Sequence, residues 1–305
     1  MDIIEFHSWP RNLRLANRQV ELVATLDVGP RVLHLAVPGC KNVFKTYADQ
    51  LGEAGEKAWQ IRGGHRLWAA PEDPVATYFP DNGPVEARSL GGGAVRLRSP
   101  AETPSGLQKE IDIRLDASAP HVRLVHRLRN VGRKPITLAP WALSVMAPGG
   151  TAVVGLPPRG SHPADLLPNQ QLVLWPYTDL ADPRLTLGTR AILIQQRKAP
   201  AKPLKLGLSN PEGWAAYAVH GCLFVKRFAF DSAATYPDMG CNTEFWTNPD
   251  MLEVESLGPL VTVAAGREVS HVEDWYLFAD VPAIRTEKDV DKHVRPLLKK
   301  TGFAK

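Results

Sequence analysis

The stretch Leu107-Gln-Lys-Glu-Ile-Asp-Ile-Arg-Leu115 and, a few residues on, His121-Val-Arg-Leu-Val-His-Arg-Leu-Arg129 decide the fold class. Both alternate with period two, the repeat of a strand with one buried face. In the second, Val122, Leu124, His126 and Leu128 share one face, and Arg123, Arg127 and Arg129 the other. Outward from this pair the pattern repeats. Val20–Val28 and Arg31–Val37 flank Gly29-Pro30 and read as a hairpin, and Ala94–Arg98 alternates as cleanly. Asn130–Pro135 is a turn leading into Ile136-Thr-Leu-Ala, and Gly91-Gly-Gly93 is another. Thr189–Gln196, Trp214–His220, Leu223–Phe230, Met251–Leu257 and Glu268–Phe278 are further strand candidates.

Only two segments read as helical. Ala48–Ala58 contains Gly52 and Gly55, both poor helix formers. Glu287–Lys300 has Thr286 as a cap and an apolar stripe of Val290, Val294, Leu297 and Leu298, with Pro296 placed to kink or end it. Many short strands separated by turns predict an all-β protein, a large antiparallel β-sandwich with a short C-terminal helix. No repeat or linker divides the chain. The expectation is one domain over 1–305, with its core at 15–280 and a helical tail at 286–305.

Composition narrows the function classes. The net charge of +4 arises from 36 basic and 32 acidic residues, too even a balance for a nucleic-acid surface. The basic tail from Lys288 is interleaved with Asp289 and Asp291 and reads as a solvated helix face. Cys40, Cys222 and Cys241 are odd in number and lack C-x-x-C spacing, so neither a disulfide framework nor a zinc site is expected. The N-terminus has early charges and no apolar core, and no run approaches the length of a membrane span. A cytoplasmic protein that binds neither membrane nor nucleic acid is expected. Phosphate loops, dinucleotide fingerprints, G-x-S-x-G elbows and H-E-x-x-H motifs are all missing, and no cofactor or metal is expected.

A few residues stand out chemically. Glu253 and Glu255 lie two apart on a strand and therefore share a face. They are either a solvated outer-face pair or two carboxyls whose repulsion raises one pKa and makes an acid/base of it. Arg62-Gly-Gly-His65-Arg66-Leu-Trp68 joins forked donors, an imidazole and an aromatic face to a glycine pair that permits close backbone approach. The alternative there is a bulged strand edge with a cation stacked on Trp68. His126, on an apolar face, is either a hydrogen-bonded core histidine or a site residue. His162, His220 and His271 read as structural or exposed. Asp231–Trp246, with Tyr236, Asp238, Asn242, Glu244 and Trp246, reads as a polar–aromatic loop. It suits sugar binding, calcium ligation or an ordinary surface.

Four segments, taken in order, resemble the galactose mutarotase-like superfamily, which includes the aldose 1-epimerases. Asn17–Phe44, with its Pro38-Gly-Cys-Lys-Asn42 turn, resembles the family's first strands. Arg62–Glu72 resembles its substrate-facing segment. Leu128–Trp141 is similar to the strand–turn–strand that carries the catalytic His. Leu252-Glu-Val-Glu-Ser-Leu-Gly-Pro259 resembles the strand of the catalytic Glu. The resemblance implies a sugar cleft formed by Arg62, His65, Arg66, Trp68, His126, Trp141, Trp246, Glu253 and Glu255, taking a mono- or oligosaccharide. It further implies Glu255 as base and His65 as acid in proton transfer at an anomeric centre. One departure stands out: Trp141 occupies the place of the family's His, and an indole only donates. A sugar-binding module without turnover, or a lyase or glycoside hydrolase on the same scaffold, are the alternative readings.

Overall fold

The structure, a computed structural model, describes residues 2–103 and 105–302. Two antiparallel sheets face each other. In the first, Gly64–Ala70, Ile136–Met146, Leu252–Leu257, Thr243–Thr247 and Leu204–Ser209 lie side by side in that order. The N-terminal strands extend one edge and Gln171–Leu174 forms the other. The second sheet centres on Trp214–Val219, Cys222–Phe228, Glu268–Phe278, His121–Asn130 and Leu107–Leu115. The all-β expectation holds, as does the early hairpin: Glu21–Thr25 pairs with Arg31–Ala36.

Alternation fills the space between the sheets. Leu22, Val32, Leu67, Ile111, Ile113, Leu124, Phe224 and Val254 are fully buried there. Each such side chain contributes about 1.5–3 kcal/mol when it leaves water. Trp275 packs edge-on against Phe44 and Phe224 in the same layer. The glycine pair at the head of Gly64–Ala70 has the left-handed backbone that its residue type permits. A Cβ on Gly63 would meet the Lys45 carbonyl oxygen at 2.0 Å, and one on Gly64 that of Val32 at 2.2 Å. The close approach expected of these glycines is therefore to the protein's own backbone.

Two local expectations need correction. Ala48–Ala58 forms turns and no helix, with Gly52 and Gly55 both at positive φ. Asp231–Trp246 is not loop throughout, because Thr243–Thr247 is an inner strand of the first sheet. The C-terminal helix is present over Glu287–Leu298, opened by a reciprocal Thr286–Asp289 capping box. Its middle, Val290–Val294, is a π-turn directly ahead of Pro296, the residue with no N–H to give. Val290, Val294 and Leu298 pack on Leu193, Ala216, Leu223 and Val225 of the second sheet, on the side away from the first. Residues 303–305 of the expected tail lie outside the described residues.

The interior also holds a polar network. Lys226 Nζ lies 2.9 Å from Glu273 Oε1 and donates to the carbonyls of Ala142 and Val254 at 3.3 and 3.1 Å. The Trp275 indole donates to Glu273 Oε2 at 2.7 Å, and Ser256 Oγ to Glu273 Oε1. His65 Nε2 and His126 Nε2 share a 2.7 Å hydrogen bond, while His65 Nδ1 meets Ser144 Oγ and His126 Nδ1 donates to the His271 carbonyl. Burial holds His65 well below its ordinary pKa, lowers that of His126 and pushes His271 down to about 3. Burial also works to raise Glu273, but the Lys226 ammonium together with His65, His126 and His271 outweighs it and keeps the carboxyl well below the usual range.

These shifts set a sign. As pH falls through about 6.5, the unfolded chain protonates imidazoles that the folded one keeps neutral, so stability drops. Glu273, also depressed, adds its own loss below about pH 4.3. In a Glu244→Gln/Glu255→Gln background, which removes two carboxyls whose raised pKa values carry the opposite sign, urea midpoints should therefore fall from pH 7 to pH 4. Lys226→Met strands a buried carboxylate and should cost about 3–5 kcal/mol at pH 7. Adding Glu273→Leu to that variant should restore part of the loss, and a single variant as stable as the parent would contradict the pairing.

Candidate functional site

The outward face of the first sheet collects a second set of side chains by the same alternation. Arg66 and Trp68 point outward from Gly64–Ala70, Trp141 and Leu143 from Ile136–Met146, and Glu253 and Glu255 from Leu252–Leu257. Register brings them together. Trp141 lies opposite Trp68, and Leu143 lies between Arg66 and Glu255. Glu244 faces Glu255, and Trp246 sits between Glu253 and Lys205. The result is a cavity of about 290 Å³ with Trp59, Tyr78 and Tyr177 completing its aromatic walls. Trp68 is the hub of these rings, with centroids 5.3 Å from Trp59, 5.3 Å from Trp141 and 5.2 Å from Tyr78.

Two cations are built into this aromatic box. Arg66 lies over Trp68 at 4.2 Å and Trp59 at 5.4 Å, and its Nη2 donates to Glu253 Oε1 at 2.9 Å. Its Nε and Nη1 are buried with no hydrogen-bond partner in the protein, as is Trp59 Nε1. Lys205 Nζ lies over Trp175 at 4.4 Å and Trp141 at 4.8 Å. It stands 2.8 Å from Glu244 Oε2 and 3.9 Å from Glu255 Oε2. The Glu244 contact is a buried ion pair within hydrogen-bond reach.

Glu255 is the centre of this arrangement. It is 1% exposed, and Trp141 Nε1 donates to its Oε2 at 2.7 Å. Burial pushes its pKa up to about 7; Glu253 adds to the rise, while Lys205, the indole hydrogen bond and Arg66 oppose it. Burial raises Glu244 well above the usual carboxylate range against the pull of Lys205. Burial works to lower the Lys205 pKa, but the two carboxylates outweigh it and hold the ammonium above its ordinary value. A carboxyl that titrates near neutrality beside a fixed ammonium can both take and return a proton.

Of the residues singled out in the sequence, Arg66, Trp68, Trp141, Trp246, Glu253 and Glu255 line this cavity, and Glu253 and Glu255 share its face. His65 does not reach it. Successive strand side chains point to opposite faces, so beside Arg66 it turns inward to His126. His126, on the second sheet, belongs to the same interior network. Arg62 is also elsewhere. It is fully buried beneath the N-terminal loops, bound to both oxygens of Glu56 at 2.6 Å, to the Gln50 carbonyl and to Asn82. Asn242 pairs with the Asn210 backbone, donating to one carbonyl and accepting one N–H, so it does not gather with Asp238 and Glu244 around a cation.

By residue type His65, His126 and Glu273 could ligate a metal, their ligand atoms lying within 4.8 Å of one another. The Lys226 ammonium already supplies the positive charge against Glu273. The residues that sequence reasoning missed are Lys205 and the rim aromatics Trp59, Tyr78 and Tyr177, while Glu244 was named only within the polar–aromatic segment and not as a neighbour of Glu255. Lys205 had one signal: it is a lone charge in the alternating run Leu204-Lys-Leu-Gly-Leu-Ser209. The rim residues come from loops whose return over the sheet no local pattern announces.

No family model matches the sequence, and no curated protein matches it. Solved structures do, through shape. A galactose mutarotase-like protein from Lactobacillus casei matches at 13% identity and TM-score 0.57, covering 88% of this chain and 100% of its own. A galactose mutarotase related enzyme from Lactobacillus acidophilus is 9% identical at TM-score 0.51, over 90% of this chain and 100% of its own. A provisional aldose 1-epimerase from Klebsiella pneumoniae is 12% identical at TM-score 0.58, over 99% of this chain and 87% of its own. Matches of this extent between two-sheet architectures rest on strand order and packing, since so little sequence is shared. The fold of this chain is that of the galactose mutarotase-like proteins.

Proposed function

We propose that the cavity binds a single sugar ring and that Glu255 moves a proton at its anomeric centre, in the manner of an aldose 1-epimerase. The observation that carries this reading is the meeting of unpaired donors with aromatic faces around Glu255. A buried donor without a partner costs about 1–3 kcal/mol. Arg66 and Trp59 present such donors inside a box of indole rings. Sugar hydroxyls would satisfy the donors while the apolar C–H face of the ring lies on tryptophan. The volume of about 290 Å³ is at the small end of ligand cavities. It suits a monosaccharide better than a long oligosaccharide. The fold shared with mutarotase-like proteins supports the same class, though a fold alone does not fix chemistry.

In this reading one domain works in the cytoplasm, a compartment that suits its three free cysteines. No helix among the described residues is long and apolar enough to cross a membrane. A second reading, a sugar-binding module without turnover, is favoured by Trp141 standing where a proton-shuttling His is expected and by His65 facing the interior.

Anomer interconversion followed by polarimetry or NMR on a panel of aldoses separates the two readings. Binding without rate enhancement leaves the module. If there is turnover, Glu255→Gln should reduce it by about 10²-fold or more, the loss expected for a positioned general base. Sugar affinity should stay within about tenfold, because the amide keeps an acceptor and the shape of the site. Trp141→Phe removes a hydrogen bond to the ionised carboxylate. It should move the Glu255 titration above about 7, and the acid limb of the rate profile with it. A carboxyl ¹³C titration that does not move would remove Trp141 from control of Glu255.

A further inference from the structure

We propose that Lys205 is the second proton carrier of the cleft, giving its proton to the ring oxygen of the sugar while Glu255 takes the proton of the anomeric hydroxyl. This rests on the proposed sugar chemistry and names the acid that it lacks. The anomeric hydroxyl and the ring oxygen are bonded to the same carbon. The two groups that serve them must therefore reach into the same small volume. Glu255 Oε2 and Lys205 Nζ, 3.9 Å apart across the intervening Thr243–Thr247 strand, meet this requirement.

The other basic and donor groups are less suited. His65 points into the interior, where its partners are His126 and Ser144. Trp141 donates to Glu255 and does not give up its proton. Arg66 and Lys205 are the cations among the described residues lining the cavity, and a guanidinium does not deprotonate in proteins. Tyr78 hydrogen-bonds Glu72, and Tyr177 is 44% exposed at the rim. Lys205 is held in place by the Glu244 carboxylate at 2.8 Å, which takes one of its three N–H groups and leaves the others for a ligand. Two indole faces flank the rest of the ammonium without accepting a proton from it.

The step balances within the protein. Glu255 takes the proton from O1 as C1=O1 forms and the C1–O5 bond breaks, and O5 takes a proton from Lys205. The open aldehyde then sits beside a neutral carboxyl and a neutral amine. Rotation about C1–C2 and the reverse transfers close the ring on the opposite face and restore both charges. Charge loss is concerted, so neither group is left as an unpaired ion in the aromatic box. The carboxylates that keep Lys205 protonated at rest lose part of their hold once Glu255 is itself protonated, which favours release of the proton.

The test compares Lys205→Met, Lys205→Arg and, at an exposed lysine outside the cavity, Lys202→Met with the parent chain. It measures anomer exchange by NMR on the aldose that the parent turns over fastest, and affinity for that sugar by calorimetry. Both lysine variants at 205 should lose about 10²-fold or more in kcat with affinity within about tenfold, while Lys202→Met stays near the parent. Lys205→Arg preserves the charge but not a transferable proton, so near-parental turnover in it overturns the proposal. So does a loss confined to KM, or a Lys202→Met variant as impaired as Lys205→Met. If Lys205→Met does not fold, Lys205→Met/Glu244→Gln removes both charges of the ion pair, and Lys205→Arg decides in any case. A parent chain that accelerates no aldose sinks the epimerase reading and this role with it. An active parent with an active Lys205→Arg sinks only the role of Lys205.

Discussion

Lys226 reaches across the interior from the second sheet and places its ammonium against Glu273 and the carbonyls of Ala142 and Val254. Those carbonyls belong to the two strands whose outward residues are Trp141, Leu143, Glu253 and Glu255. The floor of the cleft is thus anchored from behind by an ion that has used each of its three donors. In a medium of low dielectric such an ion has few places to go, because any shift of either strand would leave a donor unpaired. The aromatic walls in front rest on a backbone whose position is set on the hidden face.

The same sheet has opposite electrostatics on its two sides. Inside, burial keeps His65, His126 and His271 neutral, and the network they form offers no proton at neutral pH. Outside, burial raises Glu255 while Lys205, the Trp141 indole and Arg66 restrain the rise. Desolvation is the leading influence in both places. The difference lies in the partners: imidazoles that satisfy one another need no charge, whereas a carboxyl between a carboxyl and an ammonium is left balanced between two states. His65 and Arg66, neighbours in sequence, fall on the two sides of this division.

In the proposed scheme Trp141 takes on part of a catalytic residue's work. It cannot carry a proton, yet its N–H fixes one oxygen of Glu255, and its ring forms one face of the Lys205 cage. Positioning and proton transfer are divided in that scheme between an indole and an ammonium. The unpaired donors of Arg66 and Trp59 then mark the side from which a ligand would complete the polar contacts.

Local pattern determined the strands, their buried faces and the pairing of Glu253 with Glu255, because period two is written in the order of residues and needs no partner. It also held information that was not used: adjacent residues cannot share a face, so His65 and Arg66 could not both line one cleft. Capping by Thr286 and the apolar stripe of the last helix were legible for the same local reason. The neighbours of Glu255 were not. Lys205 and Glu244 reach it only because Leu204–Ser209 and Thr243–Thr247 lie beside Leu252–Leu257 in the sheet. Trp59 and Tyr78 meet Trp68 only because loops fold back over the strand ends. Strand order and loop return depend on contacts between residues far apart in the chain, and the charge state of Glu255 depends on them in turn. Sequence alone thus determined which side chains face which way, and tertiary structure decided which of them meet.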